Sequence, residues 1–283
     1  MKALEGEYRI GDLCLAFGVS RSGYYRWRTA QGSARVQEDA QLSEELKRLH
    51  AQSRGIYGRP RLCAALRRTG RRHSGKRVGR LMKALGLRGV QRGGFRPQTT
   101  QSDPEVRSAP NRLLGAAPPS RHDELWVADL TYVATEEGWL YVAGVLDRCS
   151  RRLLGLAFSA RMDAGLPEAA LRQALARRGG RVPSGLLHHS DRGLQYASAS
   201  YRAVLKKHAI TGSMSRRANS YDNAHMESFW ATMKTEALVG RRFATRAAAR
   251  LAIFEYVETF YNRVRLHSAL GYQSPVEFEQ TNN

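Results

Sequence analysis

The sequence predicts an α/β domain preceded by all-α, helix-turn-helix-like N-terminal units, and three observations point to it. Apolar residues recur at helical spacing as far as Gly86, whereas from Asp123 onward β-rich runs alternate with helical ones. Five of the nine prolines (Pro97, Pro104, Pro110, Pro118 and Pro119) fall within 96–120, where few apolar periods survive, so that stretch reads as a linker. Charge divides at the same place: residues 1–121 hold 25 basic and 9 acidic side chains, and residues 122–283 hold 21 and 16. The expected units are a helix-turn-helix-like segment at 1–34, a second, DNA-binding one at 38–92, a linker at 93–121, and the α/β domain with its C-terminal helix at 122–283.

Composition narrows the class. With 42% hydrophobic and 25% charged residues, the 283-residue chain has enough apolar material to bury a core, which excludes wholesale disorder, collagen-like chains and disulfide scaffolds. No apolar run approaches about 18 residues and no signal-peptide pattern opens the chain, so it reads as neither membrane-spanning nor conventionally secreted, and a cytoplasmic location is expected. Cys14, Cys63 and Cys149 lie far apart without a C-x-x-C pair and read as reduced thiols. Forty-six Lys and Arg against 25 Asp and Glu give a net charge of +21, which favours a polyanionic partner through counterion release. Nucleic acid is the first reading. A ribosomal-type protein, a membrane-surface binder and an Arg-rich composition from a GC-rich genome are the alternatives.

In the first unit Leu13 and Phe17 fall one turn apart, Gly18 stops the helix, and Ser20 caps a second helix carrying Tyr24, Tyr25 and Trp27. In the second, Leu42, Leu46 and Leu49 mark one helix, Pro60 opens another running to Gly70, and Ser74 caps a third. Val78, Leu81, Met82 and Leu85 form the apolar face of that third helix. Lys76, Arg77, Arg80 and Lys83 repeat the same spacing on another face, a basic stripe suited to DNA phosphates. A solvated helix face is the other reading of such a stripe. Gly70-x4-Gly75-Lys76 imitates a phosphate-binding loop, but Arg77 replaces the required Ser or Thr and the segment joins two helices.

From Asp123 three strands follow at 125–134, 139–148 and 152–159, separated by turn residues, which predicts an antiparallel meander. A helix at 166–178, a strand at 185–189, a helix at 198–208, a strand at 210–214 and a helix at 223–237 complete the domain. In the last helix Met226, Phe229, Trp230, Met233 and Ala237 make the apolar stripe, with Asn223, Glu227 and Lys234 along its edge. Asp129 interrupts a buried strand, where a carboxylate is costly unless paired or bound to a cation. Asp129, Asp191 and Glu227 thus sit at strand centre, strand end and helix edge. Converging, they could hold two divalent cations for phosphodiester chemistry, and their hard oxygens suit Mg²⁺ or Mn²⁺. Thirteen other acidic residues occupy the same half, so spacing alone does not select these three.

The strings W-V-A-D-L-T-Y (126–132), H-S-D-R-G-L-Q-Y (189–196) and S-Y-D-N-A-H-M-E-S-F (220–229) resemble the integrase core of the DDE transposases. Thirty-five residues separate Asp191 from Glu227, as in the D,D(35)E signature, and F-Y-N-R-V-R-L-H-S-A-L-G-Y-Q-S-P (260–275) is similar as well. S-R-S-G-Y-Y-R-W (20–27) and I-Y-G-R-P-R-L (56–62) narrow the resemblance to the second-frame product (OrfB) of the insertion-sequence-three family. The resemblance implies a ribonuclease-H-like integrase core with a five-stranded mixed sheet flanked by helices, in agreement with the element order above. It implies a transposase that cleaves DNA and transfers strands with two Mg²⁺ or Mn²⁺ ions, held by Asp129, Asp191 and Glu227, with Lys234 near the DNA. Its partners would be double-stranded element ends and target, a multimer assembled on them, and the upstream-frame protein (OrfA) or a fusion with it, since no sustained heptads occur in this chain. His189, Arg192, Tyr196, Asn223 and His267 lie inside the motifs without an assigned role. A non-catalytic helix-turn-helix regulator and a same-fold nuclease without joining activity stay open. A zinc-binding N-terminal domain is disfavoured, because His50, His73, Cys14 and Cys63 lack ligand spacing.

Overall fold

The structure is a computed structural model that describes residues 1–30, 33–91, 109–113, 117–215 and 223–282. The chain forms two compact units, Met1–Gly89 and Val90–Asn283. Most of the expected linker, at 92–108 and 114–116, lies outside the described residues.

The first unit is helical. Helix α1 spans Ile10–Ala16 and α2 spans Arg21–Ala30. Gly18 turns between them at φ +62°, and the Ser20 hydroxyl accepts the Gly23 N–H at 3.0 Å, capping α2 as expected. Leu13 and Tyr24 are buried. Phe17, expected to share Leu13's face, is instead 54% exposed, because α1 ends at Ala16 and leaves it as the cap residue. Helix α3 (Ala34–Gln52), α4 (Arg59–Arg68) and α5 (Gly75–Ala84) follow, with Ser33 and Ser74 as side-chain caps of α3 and α5. Leu42, Leu46 and Leu49 of α3, Leu62 and Leu66 of α4, and Val78, Leu81 and Met82 of α5 are buried. The segment imitating a phosphate-binding loop joins α4 to α5.

In the second unit β1 (Leu125–Thr135), β2 (Gly138–Asp147) and β3 (Leu153–Ser159) form the expected antiparallel meander. Helix α6 (Gly165–Arg177) crosses to β4 (Leu187–Ser190), and α7 (Ala199–Lys207) crosses to β5 (Thr211–Met214). The sheet order is β3-β2-β1-β4-β5, with β4 parallel to β1 and β5 parallel to β4. This is the five-stranded mixed sheet of a ribonuclease-H-like integrase core. Helix α8 (Ala224–Met233), α9 (Arg246–Glu255) and α10 (Pro275–Thr281) complete it, and α8 and α9 run on into π-helical turns at Lys234–Leu238 and Tyr256–Tyr261.

Strand alternation gives the sheet two unlike faces. Trp126, Ala128, Ala143, Val145 and Leu154 join residues of α6 and α7 in one apolar cluster. The other face, which bears Asp129 and Gly144, is covered by α8.

Candidate active site

Position 129 is the fifth residue of β1, and its cross-strand partner on β2 is Gly144. Residues directly opposite one another in an antiparallel pair share a face, so the Asp129 carboxylate and the bare Gly144 backbone lie side by side. Helix α8 settles into that bare spot. A Cβ at 144 would lie 2.9 Å from Trp230 Cη2 and 3.0 Å from Met226 Cε, closer than van der Waals contact permits. Asn223, at the N-cap of α8, donates its side-chain amide to the Ala128 carbonyl at 3.1 Å and pins the start of the helix beside Asp129. Glu227, in the first turns of α8, is thereby carried toward Asp129.

The third acid arrives by strand register. Strand β4 pairs with β1 in parallel, His189 opposite Val127. Asp191, two residues further, has just left β4 on the side of Asp129. The Gly193 N–H holds its Oδ1 at 3.0 Å. His189 is a structural histidine: it is buried, and its two ring nitrogens lie 2.9 and 3.0 Å from the Ser213 and Ser215 hydroxyls. Arg192 donates Nε to the Ser215 carbonyl at 2.7 Å, and His267 is buried near Arg265.

The acids feel one another. All three are half-buried. Exclusion of water, then repulsion by Asp191 and Glu227, pushes Asp129 up to about 8, against pulls from the Leu130 N–H and the Trp230 indole. Loss of water also raises Asp191 and Glu227 above the usual carboxylate range. Lys234, one residue past α8, is lowered by burial while the Asp129 charge counteracts the shift. Buried atoms without a hydrogen-bond partner gather here too: Asn223 Oδ1 and Tyr196 Oη, the latter of which feels the charges of Asp191 and Asp129. Buried polar atoms left without partners mark places where water or an ion belongs.

Among the described residues no group of three His, Cys, Asp or Glu side chains stands close enough to enclose a metal ion. The donors nonetheless fit a hard divalent cation, since they offer carboxylate, amide and phenol oxygens with no thiolate or free imidazole. Closing on such an ion requires the carboxylates to draw inward.

In the N-terminal unit the basic stripe of α5 is divided. Arg77 Nε bonds Asp39 Oδ1 at 2.7 Å and its Nη2 reaches Glu38 at 3.1 Å, while Arg80 bonds Asp39 Oδ2 at 2.5 Å. These two guanidinium groups tie α5 to α3. Lys76 and Lys83 stay on the exposed face. Sequence reasoning passed over Gly144, although a glycine inside a β-rich run is itself a signal of close approach by another element.

A mixed five-stranded sheet with Asp129 on β1, Asp191 just past β4 and Glu227 on the helix above them has the layout of an integrase core, the fold of a class of polynucleotidyl transferases. Sequence comparison agrees: integrase core domain families match residues 119–220 and 208–275, and an HTH-like domain family matches residues 37–95. The chain is 46% identical to the insertion element IS600 uncharacterized 31 kDa protein of Shigella sonnei, over 95% of this chain and 97% of that one. It is 38% identical to the transposase InsF for insertion sequence IS3A of Escherichia coli (strain K12), over 98% and 96% of the two chains. The chain belongs to the IS3 family of transposases. Among solved structures, the simian T-cell lymphotropic virus intasome in complex with PP2A regulatory subunit B56 gamma aligns with a TM-score of 0.48 and 16% identity, over 83% of this chain and 74% of that one. No helix among the described residues is long and apolar enough to cross a membrane.

Proposed function

We propose that Asp129, Asp191 and Glu227 are the catalytic acids and that they hold two Mg²⁺ or Mn²⁺ ions for cleavage and joining of DNA. The observation that carries this reading is the electrostatic conflict at Asp129. A carboxylate pushed up to about 8 by loss of water, and then by two acidic neighbours, gains most when a cation replaces its proton. When bound, the cations would polarise the scissile phosphate and lower the pKa of the attacking hydroxyl. The remaining work belongs to the chain. Asp191 is oriented by Gly193, Glu227 is delivered by α8 over Gly144, and Lys234 offers a cation to a DNA phosphate at the edge of the site. In cleavage, water oxygen bonds to phosphorus and the 3′-oxygen departs as a hydroxyl. In joining, that 3′-hydroxyl attacks a target phosphodiester and displaces another 3′-oxygen, so no covalent enzyme–DNA intermediate is needed.

The division of labour follows the charge. The units at 1–34 and 38–92 bind double-stranded element ends, with Lys76 and Lys83 at the backbone and Arg77 and Arg80, paired with Asp39 and Glu38, reaching it only by giving up those partners. The linker at 93–121 connects them to the catalytic core at 122–283, and the chain works as a multimer on DNA, in the bacterial cytoplasm, with the upstream-frame protein OrfA or fused to it. The test is strand transfer from a labelled, precut 3′-hydroxyl oligonucleotide carrying the ends that flank the gene, into plasmid DNA, with Mg²⁺ or Mn²⁺. Wild type is expected to join and Asp191→Asn to bind with undiminished affinity but not join. Undiminished joining by the variant would remove Asp191 from the site, and cleavage without joining would point to a nuclease.

A further inference from the structure

Beyond the acids, the β1–β2 hairpin carries a feature the chemistry above does not use. Strand β4 pairs with β1 only at Leu125–Val127 and β3 pairs with β2 only as far as Tyr141, so beyond the Tyr132–Tyr141 pair β1 and β2 continue as a two-stranded ribbon. Near its end Tyr132 and Trp139 are 48% and 49% exposed. Their rings meet edge to face, with centroids 4.8 Å apart and planes at 77°. The Lys234 ammonium lies 5.4 Å from the centre of the Tyr132 ring and within electrostatic reach of Asp129. By alternation the rings point to the face opposite Asp129, and Lys234 links the two across the strand edge beyond β4.

The ribbon is braced. Thr135 Oγ1 donates to the Gly138 carbonyl at 2.6 Å, and the Glu136 N–H donates to the Phe243 carbonyl at 3.0 Å. Arg246, at the start of α9, donates its backbone N–H to the Glu137 carboxylate at 2.8 Å and its Nε to the Trp139 carbonyl at 2.9 Å, with Nη2 on the Glu137 carbonyl. Gly138 turns at φ +103°, and its missing Cβ leaves room for that guanidinium. Two large aromatic rings are thus held exposed on a fixed backbone, with a cation beside them.

We propose that this hairpin is a stacking site for an unpaired DNA base, in which the Trp139 indole, set against Tyr132, receives the base while Lys234 takes the adjoining phosphate. A nucleotide supplies both a flat π-face for the indole and an anion for the ammonium, whereas an apolar protein surface supplies only the first. The chain's charge of +21 favours the same occupant. Three residues of strand separate Tyr132 from Asp129, about 10 Å, or roughly three stacked nucleotides. The site therefore holds a base close to the phosphate being processed, frayed from its partner strand. This rests on the reading of Asp129, Asp191 and Glu227 as the DNA-processing acids.

The test uses binding rather than chemistry. Duplexes carrying the ends that flank the gene, with 2-aminopurine at each terminal position in turn, are bound without divalent cation to wild type, Trp139→Phe and Trp139→Leu. At one position wild type is expected to quench the fluorescence, Trp139→Phe to keep part of that quenching, and Trp139→Leu to lose it while binding about 5- to 150-fold more weakly. An abasic nucleotide at that position weakens wild type by a similar factor and leaves Trp139→Leu unchanged. No position responding to residue 139, or equal losses for intact and abasic duplexes, would overturn the proposal. So would unaltered DNA binding by Trp139→Leu together with a changed sedimentation state, which would make the patch a protein interface. Quenching that persists while wild type fails to join DNA would keep the stacking site and discard the proposed catalysis; joining without Trp139-dependent quenching would do the reverse.

Discussion

At the scale of single residues, Asp129 is the most informative side chain in the molecule. Its carboxyl group is held at about 8 in the folded chain, chiefly by loss of water and then by Asp191, against an ordinary value of 3.8. Between those values the folded state keeps a proton that the unfolded state has released, so stability falls as pH rises from about 4 to about 8 and then levels off. Asn cannot ionise. Without divalent cation, thermal melting of Asp129→Asn is therefore expected to lose less than wild type between pH 6 and pH 8, by several degrees at the upper end. Added Mg²⁺ should restore wild type and leave the variant where it was. Parallel melting curves across that pH range would show that Asp129 does not carry the conflict. This much was only partly legible in the sequence. A carboxylate in the middle of an apolar strand announces its cost, but thirteen other acids in the same half compete for notice, and what singled out three was the motifs around them. The repulsion among them depends on register and on a helix crossing, which no residue spacing contains.

At the scale of elements, the site depends on how α8 meets β2. The alternating runs made the meander visible, and the stripe of Met226, Phe229 and Trp230 made α8 visible, because both periods are written directly into residue order. The crossing is different. It is decided where Trp230 and Met226 descend onto Gly144, opposite Asp129. Gly144→Val is expected to lift α8 off the sheet, destabilising the fold by about 1–3 kcal/mol and lowering joining far more than DNA binding, since Glu227 moves with the helix. A variant with wild-type joining would mean that α8 tolerates the displacement. Tertiary pairing also redistributed the basic stripe of α5. Four cations at helical spacing look equivalent in sequence, yet Asp39 and Glu38 engage Arg77 and Arg80 from α3, and that pairing spans nearly forty residues of chain. Phe17 shows the same limit at smaller range, for its spacing from Leu13 was helical but its helix had already ended.

At the scale of the whole catalytic unit, the base of the sheet is fastened to the C-terminal helix by ions. Glu279 of α10 accepts from Arg178 at 2.7 and 2.9 Å, from Arg152 at 2.5 Å and from the Ser150 hydroxyl at 2.8 Å, and Asp123 bonds Arg178 at 2.9 Å. Burial alone would raise Glu279, but the two arginines outweigh it and hold the carboxyl at about 2. Its contribution is present above the ordinary glutamate value and is lost as pH falls toward 2. Glu279→Gln leaves Arg178 and Arg152 without their shared counterion, and a loss of about 3–5 kcal/mol is expected in urea unfolding at pH 7. A change below about 1 kcal/mol would mean that α10 is held by other contacts. None of this network was read from sequence, because its members come from four separate parts of the chain.

The central claim is that Asp129, Asp191 and Glu227 act by holding divalent cations, and it is tested most directly by changing the softness of one ligand. Joining of a precut donor into plasmid should be measured for Asp191→Cys in Mg²⁺ and in Mn²⁺, beside wild type. A thiolate binds Mg²⁺ poorly and tolerates the softer Mn²⁺ better. The account expects the variant to lose joining in Mg²⁺ and to recover a measurable part of it in Mn²⁺. Equal joining by variant and wild type in both ions would contradict it.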